Sequence, residues 1–270
     1  MVATVQSAST PLTTATPTPV IRHLTSADLG WALSEGWRDF REKRGDVLLV
    51  GLLYPAICFV AVMVTFNGPL LPLFFPLVAG VSIAGPAIAS GFYELARRRE
   101  EGRDATWRHF LDPLRDGRRT ALLSLTGMLT ALFGAWLLAA YVIYGVTFGP
   151  SIQAATVPPI PQFVERVLTT PQGWALILLG NGAGLLFAIC ALVVSVTSFP
   201  MAVDRPVDAK LALRTSVEVA RVNPGAIAGW GVRVAALLAL GTVPFGVGLA
   251  VVLPWLGYAT WHLYTRAVER

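Results

Sequence analysis

The basic residues of this chain are gathered into four segments that are separated by long apolar runs. Nineteen of the 21 Lys and Arg residues lie in these segments, and only Arg166 and Arg233 lie elsewhere. The segments contain Arg22, Arg38, Arg41, Lys43 and Arg44; Arg97, Arg98, Arg99, Arg103, Arg108, Arg115, Arg118 and Arg119; Arg205, Lys210, Arg214 and Arg221; and Arg266 and Arg270. Because Lys and Arg near the ends of membrane spans favour the cytoplasmic side, we expect all four segments to face the cytoplasm.

The composition independently indicates a membrane protein. The hydrophobic fraction is 54% and the charged fraction 14%, whereas a soluble domain carries about 25% charged residues. The net charge of +5 does not indicate nucleic-acid binding, because the basic residues interrupt apolar spans and build no continuous basic face. Anionic lipid headgroups are the expected partner, since each exposed Arg near them gains about 1 kcal/mol.

Six apolar runs are long enough to cross a membrane, since a helix needs about 20 apolar residues to span the hydrocarbon core. They are residues 47–66, 73–95, 120–146, 174–199, 225–242 and 243–263. Six spans place both termini on one side, predicted to be the cytoplasmic side of a bacterial inner membrane. Residues 1–24, rich in Ser, Thr and Pro, are predicted to be a disordered cytoplasmic tail with no signal peptide, and residues 25–270 a single membrane domain. The proline-containing segment 149–173 is predicted to be an external loop with a short helix at 162–168.

Short amphipathic segments precede the first, third and fifth predicted spans. The first and last have small or apolar residues at helical spacing. These are Leu29, Ala32, Leu33, Gly36, Trp37 and Phe40, and, 180 residues later, Ala209, Ala212, Leu213, Ser216, Val217 and Ala220. Thr25 and Asp28 have the spacing of a capping box. A weaker stripe, Trp107, Phe110, Leu111 and Leu114, precedes the third span, where Pro113 would end or bend a helix.

Two of the predicted hairpins also match one another in sequence. Pro86 is followed at fixed offsets by Tyr93, Glu94, Leu95 and Arg98, and Pro254 by Trp261, His262, Leu263 and Arg266. We therefore predict an all-α polytopic membrane protein of six transmembrane helices. It would consist of three repeats of an amphipathic interfacial helix plus a transmembrane hairpin, at residues 25–103, 104–204 and 205–270. The interfacial helices would lie flat at the headgroup level. The alternative is that short helices beside membranes are generally amphipathic and that apolar sequences align by chance.

Four strings of the sequence resemble a bacterial family of predicted integral membrane proteins of unknown function. They are DLGWALSEGWRDF, GPAIASGFYELARRREEG, SFPMAVDRPVDAKLALRTSVEVARVNPGAI and LAVVLPWLGYATWHLYTR. The resemblance extends from about Asp28 to Arg266, and GYATWHLY is its most specific part. It implies a polytopic inner-membrane protein and brings no known activity or catalytic residue. Some members of the family are labelled as related to cytochrome c oxidase subunit I.

The histidine content excludes a catalytic oxidase. Such an enzyme needs several membrane-embedded histidines to hold haem and copper. This chain has three, of which His23 and His109 lie in predicted cytoplasmic segments and His262 near the end of a span. The sequence also lacks a phosphate-binding loop, paired zinc-binding cysteines and a nucleophile triad. We expect no catalytic residue, no cofactor and no metal site.

Four polar residues in or beside the spans are candidates for a polar cluster or ligand contact, because such groups are costly in a membrane. Arg233, in the fifth span, could bind an anionic headgroup, or could extend to the interface or pair with Glu94. Glu94 and His262 occupy equivalent repeat positions and could form a hydrogen-bonded cluster or a proton relay. Asn181, within GNGAG, could serve helix packing or a ligand site in a broken helix.

We expect a non-catalytic protein that acts through lipids or another membrane protein, in an accessory, scaffold or assembly role. The partner could be a membrane protein or a second copy of the chain, and nucleic acid is not expected. The alternative is a small transporter or channel, in which Asn181, Arg233, Glu94 and His262 would converge on one water-accessible cavity.

Overall fold

The computed structural model describes residues 19–52, 85–149, 160–243 and 246–270, together with Ala56 and Phe59. These ranges contain nine α-helices, which confirms the all-α class. They are α1 Ser26–Gly51, α2 Gly85–Glu100, α3 Arg119–Phe148, α4 Ile160–Thr169, α5 Pro171–Ser195, α6 Ser198–Asp204, α7 Ala209–Val222, α8 Pro224–Thr242 and α9 Leu249–Ala267. The short helix predicted at 162–168 is α4.

Three stretches of the described chain are long and apolar enough to cross a membrane: α3, α5 together with α6, and α8. The most apolar windows of these stretches have mean hydropathies of 1.8, 2.4 and 1.4, and only 22%, 6% and 17% of their residues are buried within the protein. Apolar side chains that are not covered by protein fit a lipid environment. The three stretches correspond to the predicted spans 120–146, 174–199 and 225–242.

For the other three predicted spans, the described residues do not give the same evidence of length, hydropathy and burial. Spans 47–66 and 73–95 lie mostly outside the described residues. Span 243–263 overlaps α9, whose last two turns carry polar side chains and which is not one of the three apolar stretches. The count of six spans and the three-repeat arrangement therefore remain predictions.

Helix α9 is the centre of the described core. It packs against α1, α2 and α8, and Ala259, Trp261, Leu263 and Tyr264 are buried. The indole nitrogen of Trp255 donates a hydrogen bond of 2.8 Å to the Leu33 carbonyl on α1. α3 and α5 pack against each other beside this core, and α6 contacts α2, α7 and α9.

The two well-formed amphipathic helices bury most of their apolar stripes inside the protein, and Trp37 of α1 remains exposed. In α1, the residues Leu29, Ala32, Gly36 and Phe40 are buried, and the helix packs mainly on α9. In α7, Ser216 is buried and donates a hydrogen bond of 2.8 Å to the Val193 carbonyl on α5. These apolar faces are thus covered by other helices of the protein, whereas the sequence suggested that they would lie on the membrane surface.

The capping box of α1 is confirmed, and the helix is longer than expected. The backbone N–H of Thr25 donates to Asp28 Oδ2 over 2.9 Å, and that of Asp28 donates to Thr25 Oγ1 over 3.4 Å. α1 then continues to Gly51, so the predicted interfacial helix and the start of the first predicted span form one continuous helix.

The third predicted interfacial segment is not an α-helix. Residues Trp107–His109 and Asp112–Leu114 form two 3-10 turns. Pro113 lies within the second turn, where it lacks the N–H that an α-helix would need.

The N-terminal end of the described chain pairs with the C-terminus. Ile21 and Val268 form an isolated antiparallel bridge, and the Asn223 side chain, at the α7–α8 junction, binds the backbone of residues 22 and 24. Residues 19–24, which lie in the predicted tail, therefore contact the C-terminal end of the chain.

Candidate functional site

Glu94 is a fully buried carboxylate that is held by three arginines. Its side chain has 0% exposure. Oε1 accepts hydrogen bonds from Arg97 Nη2 at 2.8 Å and Arg98 Nε at 2.9 Å. Oε2 accepts from Arg97 Nε at 3.0 Å and from Arg118 Nη1 at 2.7 Å. We call these four residues the Glu94 cluster.

Helix geometry and one tertiary contact assemble this cluster. Arg97 and Arg98 follow Glu94 by three and four residues on α2, so all three side chains share one helix face. Arg118 comes from the residue before α3, and its Nη1 also donates to the Val203 carbonyl on α6 over 2.6 Å. The Glu94 cluster thus joins α2, the start of α3 and α6.

A second carboxylate fixes the orientation of Arg118. Asp116 accepts hydrogen bonds from Arg118 Nε at 3.0 and 2.9 Å. Partial burial alone would raise the pKa of Asp116, but the hydrogen bonds from the Arg118 side chain and backbone lower it below its usual value. Asp116 is therefore ionised near neutral pH.

An open cavity of about 550 Å³ lies over the Glu94 cluster. It is lined by five arginines, three aspartates and two other residues: Arg97, Arg98, Arg103, Arg115, Arg118, Asp112, Asp116, Asp204, Gly117 and Pro206. We call it the arginine cavity. Arg103 and Arg115 are its most exposed arginines, with side-chain exposures of 46% and 69%. A cavity with this lining can bind an anion through charge-assisted hydrogen bonds from guanidinium groups.

His262 lies in a separate polar cluster that joins α1, α2 and α9. His262 Nε2 is 2.8 Å from Asp39 Oδ2 on α1, and Arg99 Nε on α2 is 3.1 Å from Asp39 Oδ1. The ring of Trp31 meets the His262 ring edge-on at 5.5 Å, and the Arg266 guanidinium lies 4.1 Å from the Trp31 ring centre. These contacts connect α9 to α1 and, through Asp39, to α2.

The four residues singled out from the sequence lie in different surroundings. Glu94 accepts hydrogen bonds from Arg97, Arg98 and Arg118, whereas His262 contacts Asp39. Asn181 is exposed on α5 and donates to the Ile177 carbonyl of its own helix over 2.7 Å. Arg233 on α8 donates to the carbonyl of Gly229, one turn earlier, over 3.0 Å, so its guanidinium is directed toward the helix start. None of the four is among the residues that line the arginine cavity.

Sequence reasoning missed Asp39 and Arg118 as site residues. Asp39 lies outside the apolar stripe of its amphipathic segment, yet its side chain is buried and contacts His262 of α9. Arg118 was counted only as one of eight basic residues in its segment. The signal available for the Glu94 cluster was the spacing of Glu94, Arg97 and Arg98, whereas nothing local indicated the contact with Arg118.

Residues 74–204 match the model of a family described as a predicted integral membrane protein (DUF2189). The match is shorter than the resemblance inferred from the sequence, and the GYATWHLY string lies outside it. No curated protein and no solved structure matches the chain. The matched range contains the Glu94 cluster, α3, α5 and α6. The chain is therefore an integral membrane protein with several apolar helices, and over residues 74–204 it is similar to a family of predicted integral membrane proteins whose function is unknown.

Proposed function

We propose that this protein is a non-catalytic component of a bacterial inner membrane and that it binds anionic lipid headgroups through the arginine cavity. Its role would be that of an accessory or scaffold protein, which organises lipids or stabilises a neighbouring membrane complex. The observation that carries this proposal is the grouping of five arginines around one open cavity beside an apolar helix.

The position of the cavity fits a headgroup ligand. Arg115 and Arg118 lie within four residues of the first residue of α3, which is one of the three apolar stretches. Lipid phosphates lie at the ends of membrane-spanning helices, where basic pockets are known to bind anionic headgroups. An anion in the cavity would meet Arg103 and Arg115 first, because these two side chains are the most exposed.

The Glu94 cluster would serve as the rigid base of this site. Its carboxylate accepts four hydrogen bonds from three arginines, and such bonds hold the guanidinium groups in fixed orientations. A preorganised site loses less side-chain freedom on binding than a flexible one. The Glu94 carboxylate is buried behind its arginines, and the five arginines that line the cavity outnumber its three aspartates.

Lipid retention by purified protein tests the proposal. The double variant Arg103→Gln/Arg115→Gln should retain several-fold less phosphatidylglycerol and cardiolipin than the unaltered protein, as measured by native mass spectrometry from mild detergent. The matched control is Arg214→Gln/Arg221→Gln, which removes two exposed arginines from α7 and should not change retention. Equal retention by both double variants would contradict the assignment of the cavity.

We also propose that both ends of the chain are cytoplasmic. The support is the excess of Arg beside the apolar helices and the pairing of residues 20–22 with residues 267–269, which places both ends of the described chain together. Compartment-specific reporters at Gln162 and at the C-terminus should report opposite sides of the membrane. If both reporters are active in the same compartment, the topology is wrong.

A further inference from the structure

The segment between α2 and α3 differs from the other two predicted interfacial segments in the exposure of its apolar side chains. α1 and α7 cover most of theirs with other helices, although Trp37 of α1 is 38% exposed, whereas residues 107–114 expose three of their four large apolar side chains. Trp107, Leu111 and Leu114 have exposures of 49%, 48% and 41%. A group of large apolar side chains on the surface generally marks an interaction site.

We propose that residues 107–114, which we call the anchor segment, are inserted in the headgroup region of the same bilayer that α3 crosses. Trp107, Leu111 and Leu114 would enter the boundary between headgroups and acyl chains. The neighbouring arginines would contact anionic headgroups. This inference goes beyond the proposed function, because it does not require the arginine cavity to hold a lipid.

One face of the anchor segment is held against α2. The apolar side chains on its other face therefore remain on the surface. The Phe110 ring packs edge-on against Phe92 of α2, with a centroid distance of 4.9 Å. His109 Nδ1 lies 2.7 Å from Asp112 Oδ2, which also accepts a hydrogen bond of 2.7 Å from Arg98 Nη2. These contacts prevent the segment from rotating to bury Trp107 and Leu111.

The length of α3 places the anchor segment at membrane-interface depth. Exposed Tyr141 and exposed Arg119 are separated along α3 by 22 residues, which is about 33 Å of helix. This distance is close to the roughly 30 Å thickness of the hydrocarbon core. With Tyr141 at one interface, as is usual for tyrosine, Arg119 lies at the other, and Leu114 is five residues before it.

The charges around the anchor segment favour a lipid surface over a soluble partner. In the part of the chain that the structure describes, Arg108 and Arg119 are exposed and make no ion pair. Arg115 lies 3.9 Å from its carboxylate neighbour, Asp112 Oδ1. Exposed cations interleaved with Trp and Leu are the composition of a segment that binds an anionic membrane surface. Because the anchor segment is followed directly by α3, its exposed face lies beside the bilayer that α3 crosses.

Spin-label accessibility in nanodiscs of phosphatidylethanolamine and phosphatidylglycerol tests the proposal. The background is Cys58→Ala/Cys190→Ala, and a nitroxide is attached at Leu111→Cys or Trp107→Cys. Leu138→Cys, exposed on α3, is the control inside the bilayer, and Lys210→Cys, exposed on α7, is the aqueous control. Each labelled protein is first checked for a single gel-filtration peak and an unchanged thermal midpoint.

The label at position 111 should be more accessible to oxygen than to a water-soluble nickel complex, with a ratio several-fold above that at position 210. The label at position 107 should behave in the same way. A water-like ratio at position 111, equal to that at position 210, would overturn the proposal and would instead assign the segment to a soluble partner. This result would leave the headgroup proposal for the cavity standing, because lipid retention by the Arg103 and Arg115 variants is measured separately.

Discussion

Gly36 of α1 lies directly against Ala259 of α9. A Cβ atom added at residue 36 would come 2.5 Å from the Ala259 backbone nitrogen and 2.7 Å from its Cα. Only a residue without a side chain allows the two helices to approach this closely. The contact lies at the middle of the most extensive helix pair in the described structure.

Gly36→Ala should therefore destabilise the protein. The new methyl group meets backbone atoms, which cannot move aside as a flexible side chain can, and overpacking of this kind costs about 1–3 kcal/mol. The thermal unfolding midpoint in detergent, followed by circular dichroism, measures the effect. Gly30→Ala is the matched control, because a Cβ there meets nothing within 4 Å, and it should be neutral or stabilising by up to about 1 kcal/mol.

Glu94→Gln should be strongly destabilising, because it leaves three arginines without their buried counter-charge. Removing one partner of a buried ion pair costs about 3–5 kcal/mol. Glu101→Gln removes a carboxylate of 42% side-chain exposure that also pairs with Arg97, and it should cost less than about 1 kcal/mol. Thermal midpoints of the two variants give the comparison, and similar midpoints would show that the Glu94 cluster does not stabilise the fold.

Asp39→Ala should weaken the attachment of α1 and α2 to α9. The substitution leaves the partly buried His262 and Arg99 without their shared acceptor, and we expect a cost of about 2 kcal/mol. Glu42→Ala is the control, since Glu42 also pairs with Arg99 but its side chain is 54% exposed. Limited proteolysis of the two variants, with cleavage sites identified by mass spectrometry, should show faster cutting near α1 in Asp39→Ala alone.

The capping box of α1 should make a pH-dependent contribution to stability. Hydrogen bonds from the Thr25 side chain and backbone lower the pKa of Asp28 below its ordinary value of 3.8. Because the folded-state pKa is the lower one, the stabilisation is fully present above about pH 5 and is lost as the pH falls through the folded pKa. Asp28→Asn should lower the thermal midpoint at pH 7 and have progressively less effect below pH 4. A difference that does not change with pH would contradict this cause.

Asn181→Leu should leave the fold and its stability unchanged. The amide is exposed and bonds only to the carbonyl one turn earlier among the described residues, so its removal breaks no contact between helices. The thermal midpoint should shift by no more than that of Leu185→Ala, which alters another exposed residue of α5. A marked loss of stability would instead show that Asn181 binds a neighbouring helix or a second copy of the chain.

The sequence by itself determined the features that depend on local chain properties. Long apolar runs predicted α3, α5 and α8, because a backbone in lipid must satisfy its hydrogen bonds internally. Helical spacing predicted α1 and α7, and the side-chain chemistry of Thr25 and Asp28 predicted the capping box. The spacing of Glu94, Arg97 and Arg98 places them on one helix face, although the partners considered for Glu94 from the sequence were His262 and Arg233.

Only the tertiary structure decided what each of these faces contacts. An amphipathic stripe is the same in sequence whether lipid or protein covers it, so the burial of α1 on α9 could not be read from its periodicity. Arg118 reaches Glu94 across 24 residues, and Asp39 reaches His262 across 223. Such pairs form only when the helices that carry them pack together. Their free energy of formation depends on the desolvation of both groups and on contacts between residues that are distant in the chain.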